Sequence, residues 1–181
     1  MKTIGVFAYQ GAGHLFVKAL EILGYKTLKI FADTDFSKLD GIILPGGESS
    51  VQYDYCVNNQ LDKKIHEFFL TKKPILGTCA GAILLSKYKS IRVNGFEFID
   101  IDIERNFYGR QINSKLIKTD YDKEAFMIRA PAIVSCGKKV EILDTFNGNP
   151  IFIKQQNVYC TTFHPELGKL DNNNPIVKIF T

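Results

Sequence analysis

The chain has 181 residues, 45% of them hydrophobic and 12% aromatic, which is enough apolar material for one domain over residues 1–181 with a substantial core. Its net charge is only +4 and its 23 lysines and arginines are scattered rather than gathered into a stripe, so a nucleic-acid-binding role is not expected. No apolar run approaches the roughly 20 residues that cross a bilayer. Met1–Val6 leads directly into an apolar strand without a signal-peptide pattern, so no membrane role is expected and the expected compartment is the cytoplasm.

In chain order, Ile4–Ala8 reads as a buried strand ending at Gln10-Gly11, and Phe16, Ala19, Leu20 and Leu23 recur at helical spacing up to a stop at Gly24. Lys26–Ile30 reads as a second strand and Gly41–Leu44 as a third, cut off by Pro45-Gly46-Gly47. A helix follows over Leu61–Leu70 with Ile65, Phe68 and Phe69 on its apolar side, then a fourth strand over Pro74–Gly77 and a helix from Ala80 to about Lys87. Strands alternating with helices at this rhythm predict a three-layer α/β fold, a mostly parallel sheet flanked by helices. In such sheets ligands bind beyond the carboxyl ends of the strands, where Pro45–Glu48 and Gly77–Gly81 fall. Beyond Ile91 the chain becomes strand-rich: Phe98–Ile103, Phe126–Ile128, Val140–Leu143, Ile151–Ile153 and Val158–Thr162 are candidates, with antiparallel pairs expected. Asn172–Pro175 predicts a turn into a last short helix carrying Ile176, Ile179 and Phe180.

The four cysteines are Cys56, Cys79, Cys136 and Cys160; none is spaced as a Cys-x-x-Cys pair, and the histidines are three, His14, His66 and His164. Neither a metal site nor a bound cofactor is expected from this set, and cytoplasmic thiols stay reduced. Cys79 stands in Gly77-Thr78-Cys79-Ala80-Gly81, between an apolar strand and an apolar helix. This is the cysteine form of a nucleophile elbow, whose sharp turn needs small neighbours and whose following helix N-terminus favours a thiolate. Taken alone, the pattern leaves two readings, a catalytic nucleophile and a buried structural cysteine. The other three cysteines lack this context and read as structural.

A thiolate nucleophile needs a proton-shuttling base held by a third group. His164 lies in Thr162-Phe163-His164-Pro165-Glu166 after the strand Val158–Thr162, and Glu166, two residues on, can accept from the imidazole N–H. Without the elbow this tripeptide would read as a surface turn. His14 is the competing base, with no carboxylate near it in sequence, and is read as a neighbour or a helix cap. His66 lies on a charged helix face and is read as solvated.

The elbow, the distant His164-Pro165-Glu166 and Pro45-Gly46-Gly47-Glu48-Ser49 together resemble the class I glutamine amidotransferases, whose fold is flavodoxin-like. Gln10-Gly11, the stretch Glu104–Gln111 and Ile128-Arg129-Ala130-Pro131 narrow the resemblance to the glutaminase subunits of pyridoxal 5′-phosphate synthase, the PdxT family. The resemblance implies hydrolysis of L-glutamine to L-glutamate and ammonia by Cys79, His164 and Glu166 through a thioester. It implies an oxyanion held by the N–H groups of Gly47 and Ala80. It also implies substrate contacts from Gly47, Glu48, Ser49, Arg105, Ile128 and Arg129. An arginine suits the α-carboxylate of glutamine and Glu48 its α-ammonium. The expected partner is a (β/α)₈-barrel synthase subunit that receives the ammonia for vitamin B6 synthesis, with Gln10 placed to sense its docking. The basic segment Lys87–Arg92 and the stretch after Glu166 are both shorter than the family pattern. Competing readings are a glutaminase feeding another acceptor, such as imidazole glycerol phosphate synthase, a non-catalytic binding module of the same fold, and a reactive-cysteine relative. The Glu104–Gln111 stretch argues against the first, the intact trio against the second, and Gly46-Gly47-Glu48 with the arginines against the third.

Overall fold

Short apolar runs bounded by glycine or proline form the centre of the computed structural model, which describes residues 1–107 and 115–180. Strand β1 (Thr3–Phe7) leads to helix α1 (Gly13–Ile22) and β2 (Lys26–Ile30). Then come β3 (Gly41–Leu44), α2 (Ser49–Asn58), α3 (Leu61–Leu70), β4 (Ile75–Thr78) and α4 (Ala80–Leu85). The second half carries β5 (Ile101–Glu104), β6 (Lys115–Lys118), β7 (Glu124–Met127) and β8 (Ala132–Cys136). It continues with β9 (Glu141–Phe146), β10 (Asn149–Gln155), β11 (Val158–Thr161) and α5 (Pro175–Phe180).

Seven strands form one sheet in the order β2-β1-β3-β4-β11-β10-β9. The first five are parallel, and β10 and β9 extend the sheet antiparallel. Two-stranded antiparallel pairs, β5 with β8 and β6 with β7, lie outside it.

Side-chain alternation along each buried strand sends neighbours to opposite faces. Ile42 and Leu44 of β3 join α2, α3 and α4 in one core, whereas Ile43 joins α1 and α5 in the other. Leu61, Ile65 and Phe68 of α3 are buried along one stripe, each contributing about 1.5–3 kcal/mol relative to an exposed position. This is the expected three-layer arrangement. No helix of the described residues is long and apolar enough to cross a membrane.

Some expectations about individual elements need correction. Helix α2 was not legible, because its buried stripe is Ser49, Gln52 and Cys56 rather than aliphatic. Helix α4 ends at Leu85, two residues early, as Ser86 bonds back to Ile83 through its Oγ (2.8 Å). Phe98 and Ile99 are buried but precede β5.

The carboxyl ends of β1, β3, β4 and β11 lie along one edge of the sheet. Leu44 pairs with Gly77, and Thr78 with Thr161. The segments leaving these ends, at residues 8–12, 45–48, 79–80 and 162–166, are therefore brought together although the sequence separates them.

Candidate active site

Cys79 is the residue between β4 and α4, and its backbone takes φ 50° and ψ −104°. A non-glycine residue held there costs on the order of 1–3 kcal/mol and persists only where its surroundings fix it. The Cys79 N–H donates to the Thr161 carbonyl of β11 (2.9 Å), tying the elbow to the neighbouring strand. The flanking glycines are required by contact. A Cβ on Gly81 would collide with the Leu44 carbonyl, and one on Gly77 would lie 2.7 Å from the Gly81 carbonyl oxygen.

The other thiols are set apart by burial. It pushes Cys56 up to about 12 and raises Cys160 and Cys136 as well. None of the three lines the pocket above Cys79.

His164 leaves β11 with its N–H bonded to the Phe126 carbonyl of β7 (2.9 Å). Its Nδ1 faces Glu166 Oε1 at 2.7 Å, and the Glu166 side chain is fully buried. With Nδ1 turned to Glu166, Nε2 is the ring nitrogen left for Cys79, which lines the same pocket and interacts with the ring electrostatically. The Cys79 Sγ lies 4.0 Å from the Ile128 carbonyl oxygen. The 3-10 turn Pro165–Leu167 is braced by buried Asn174, whose Nδ2 donates to the Pro165 carbonyl (2.9 Å) and whose Oδ1 caps Ile176 of α5 (2.9 Å). Nothing in the sequence marked Asn174 for this part.

Burial disfavours the imidazolium, but the hydrogen bonds and negative charge of Cys79 and Glu166 outweigh it and lift His164 to about 10. A group whose folded pKa is raised contributes its full stability below the unfolded value of 6.5 and loses it as pH climbs through the folded one. Unfolding free energy should therefore decline between about pH 6.5 and pH 10. Urea titrations across that range check this, and a His164→Gln variant should lack the decline.

The pocket is walled by Gly46, Gly47, Glu48, Ser49, Arg105, Ile128 and Arg129, with Cys79, Ala80 and His164 also lining it. Arg105 Nη2 meets Glu48 Oε1 at 2.6 Å, joining positions 57 residues apart. A pair this exposed contributes about 0–1 kcal/mol, so stability is a poor reason for it. Ser49 is buried and its Oγ has no partner among the described residues. Asn106 at φ 56° and Arg129 at φ 44° put two more left-handed backbones at the pocket wall beside Cys79.

Gly46 lies against the imidazole: a Cβ there would come 2.5 Å from His164 Cε1. Its carbonyl accepts from Ala12 N–H (2.9 Å), and Gly11 can hug it only because it lacks a Cβ and takes φ 95°. The peptide is trans, so the Gly47 N–H points away from that loop. Ala80, the first residue of α4, carries one of the N–H groups that a helix leaves unpaired. Gln10 stands behind the strand, its Oε1 accepting from Glu48 N–H (2.8 Å).

The structure thus brings together every residue named from the sequence for the trio, the oxyanion and the substrate. His14 is exposed on α1 and does not line the pocket. His66 is exposed beside Phe69 and Phe98. Gly11, Ala12, Ile83 and Asn106 line the pocket without having been singled out for it. Of the Glu104–Gln111 stretch, residues 108–111 lie outside the described residues.

A cysteine on a strand-to-helix elbow, facing a histidine braced by a glutamate at the carboxyl ends of a parallel sheet, is the arrangement of the triad glutamine amidotransferases. Over residues 6–180 the chain matches the SNO glutamine amidotransferase family, and it belongs to that family. It is 40% identical to pyridoxal 5′-phosphate synthase subunit PdxT of Thermotoga maritima over 171 residues, 91% of each chain. It is 42% identical to the protein of that name from Caldicellulosiruptor saccharolyticus over 175 residues, 92% of each. A solved glutamine amidotransferase superposes with a TM-score of 0.82 at 29% identity, covering 93% of this chain and 92% of that one.

Proposed function

We propose that the chain is the cytoplasmic glutaminase subunit of a pyridoxal 5′-phosphate synthase, a single domain over residues 1–181. It hydrolyses L-glutamine to L-glutamate and ammonia and passes the ammonia to a (β/α)₈-barrel synthase subunit. The observation that carries this reading is the pairing of Cys79 with a Glu166-braced His164 in a chain matched over 91% of both lengths by a relative named as that subunit.

Cys79 Sγ adds to the side-chain amide carbon of glutamine, and the charge that moves to the amide oxygen is received by the N–H groups of Gly47 and Ala80. Each such donor is worth about 10²–10³ in rate. His164 gives its proton to the departing nitrogen as the C–N bond breaks, leaving ammonia and a Cys79 thioester. His164 then takes a proton from water while the water oxygen attacks the thioester carbon. The C–S bond breaks, glutamate leaves and the thiol returns. Glu166 holds the imidazole in the tautomer that presents Nε2 to sulfur and stabilises its charged form.

Glu48 receives the α-ammonium and the guanidinium groups of Arg105 and Arg129 the α-carboxylate, with Ser49, Ile128 and the Gly47 backbone completing the substrate contacts. Gln10 ties its half-exposed loop to Glu48 N–H, and next to it Tyr9 is exposed and stacked on Tyr55 at 3.8 Å. Gln10 therefore transmits partner docking to the pocket.

Ammonia release by the full chain should rise at least about tenfold when the barrel subunit is added, a coupling of ordinary size between a docking surface and a site. Unchanged turnover would overturn the partner assignment while leaving the Cys79 chemistry standing.

A further inference from the structure

Helix α2 buries a polar side chain where a helix against a sheet ordinarily presents an aliphatic one. Gln52 has no solvent exposure. Its Nε2 donates to the Gln10 carbonyl (3.1 Å) and to the Pro45 carbonyl (3.2 Å), while its Oε1 has no partner among the described residues. Turning the carboxamide over would set an oxygen against two carbonyls, so its orientation is fixed.

The two carbonyls belong to different loops, one leaving β1 and the other leaving β3. The same loops are joined by Glu48 N–H to Gln10 Oε1 (2.8 Å) and by Ala12 N–H to the Gly46 carbonyl (2.9 Å). Together these bonds occupy polar groups of Pro45, Gly46 and Glu48. The carboxamide also packs directly on Gly47, since a Cβ there would lie 2.8 Å from Gln52 Nε2. Two consecutive glycines have wide backbone freedom, and Gln52 is the buried side chain that removes it here.

We propose that Gln52 is a positioning residue for the Gly47 N–H. The proposal rests on the assignment of that N–H to the oxyanion made above. Glutamine itself is held by the side chains of Glu48, Arg105 and Arg129, none of which bonds to the Gln52 carboxamide. The link to Glu48 is between backbones, Gln52 N–H to the Glu48 carbonyl (3.0 Å), and side-chain variants keep it, so the effect falls on turnover rather than on substrate binding.

The test compares the full chain with Gln52→Met, which removes the donor, and Gln52→Glu, which sets a carboxylate against the two carbonyls. The readouts are kcat and KM for ammonia release, the rate of Cys79 alkylation by iodoacetamide, and the thermal midpoint. Alkylation develops no oxyanion and so reports the thiol alone. Gln52→Met should lower kcat about tenfold or more, a fraction of what losing a whole donor costs, with KM and the alkylation rate within about twofold. Gln52→Glu should lose more.

A kcat within twofold of the parent in both variants would overturn the proposal. So would a kcat loss matched by an equal loss of alkylation rate, which would place the effect on the thiol or the fold. Full ammonia release from a Cys79→Ala chain would instead sink the glutaminase reading itself, a separate failure.

Discussion

Ammonia release from glutamine is expected to fall to background in a Cys79→Ala chain, a loss of about 10³-fold or more, because no other group at the pocket can form the acyl intermediate. Cys56 and Cys160 are fully buried with raised pKa values, and neither they nor Cys136 lines the pocket. The substitution keeps a Cβ in the same strained backbone and leaves the Cys79 N–H bond to Thr161 in place. The fold should therefore persist, which a thermal melt checks. Full turnover in the alanine chain would end the mechanism.

Glu166→Gln carries the second large effect. The carboxylate at 2.7 Å from Nδ1 is, after Cys79, the group that favours the charged form of His164, and its side chain is fully buried. A neutral carboxamide removes the carboxylate charge and offers an N–H₂ group that competes for the wrong tautomer. Turnover should drop about 10²–10⁴-fold with KM little changed. Glu166 Oε2 is buried without a partner among the described residues, so an amide nitrogen placed there also costs about 1–3 kcal/mol. Steady-state kinetics beside urea unfolding separate the two losses, and normal turnover would make Glu166 a bystander.

How much of this was legible in the sequence depended on the range of the signal. Strands β1, β3 and β4 are continuous apolar runs ended by glycine or proline, and α3 has an aliphatic stripe, so local pattern sufficed. Helix α2 failed that test because Ser49 and Gln52 occupy its buried face and answer to the loops beneath it. Strand β8 was missed as well: only Ala132 and Ile133 are buried, while Val134 and Ser135 face outward. Strand β6, with a lysine at each end and an exposed Leu116, gave no apolar run.

The site divides in the same way. The Cys79 elbow was readable because its backbone demands glycines on both sides, and Glu166 because it stands two residues from His164. The contact of Gly46 with the imidazole, the Arg105–Glu48 pair and the Gln52 clamp each join segments that meet only through the strand order. Periodicity holds no information about them. For Arg105 and Glu48 the sequence offered opposite charges suited to the two ends of an amino acid, and the structure adds that the two side chains lie in contact.

The most direct measurement of the central claim is covalent labelling of the full chain with an electrophilic glutamine analogue, 6-diazo-5-oxo-L-norleucine, followed by peptide mass spectrometry and an ammonia assay. The account predicts one label, on Cys79, formed in step with the loss of ammonia release and slowed by excess glutamine. A label on Cys56, Cys136 or Cys160, or ammonia release that survives with Cys79 fully capped, would contradict it.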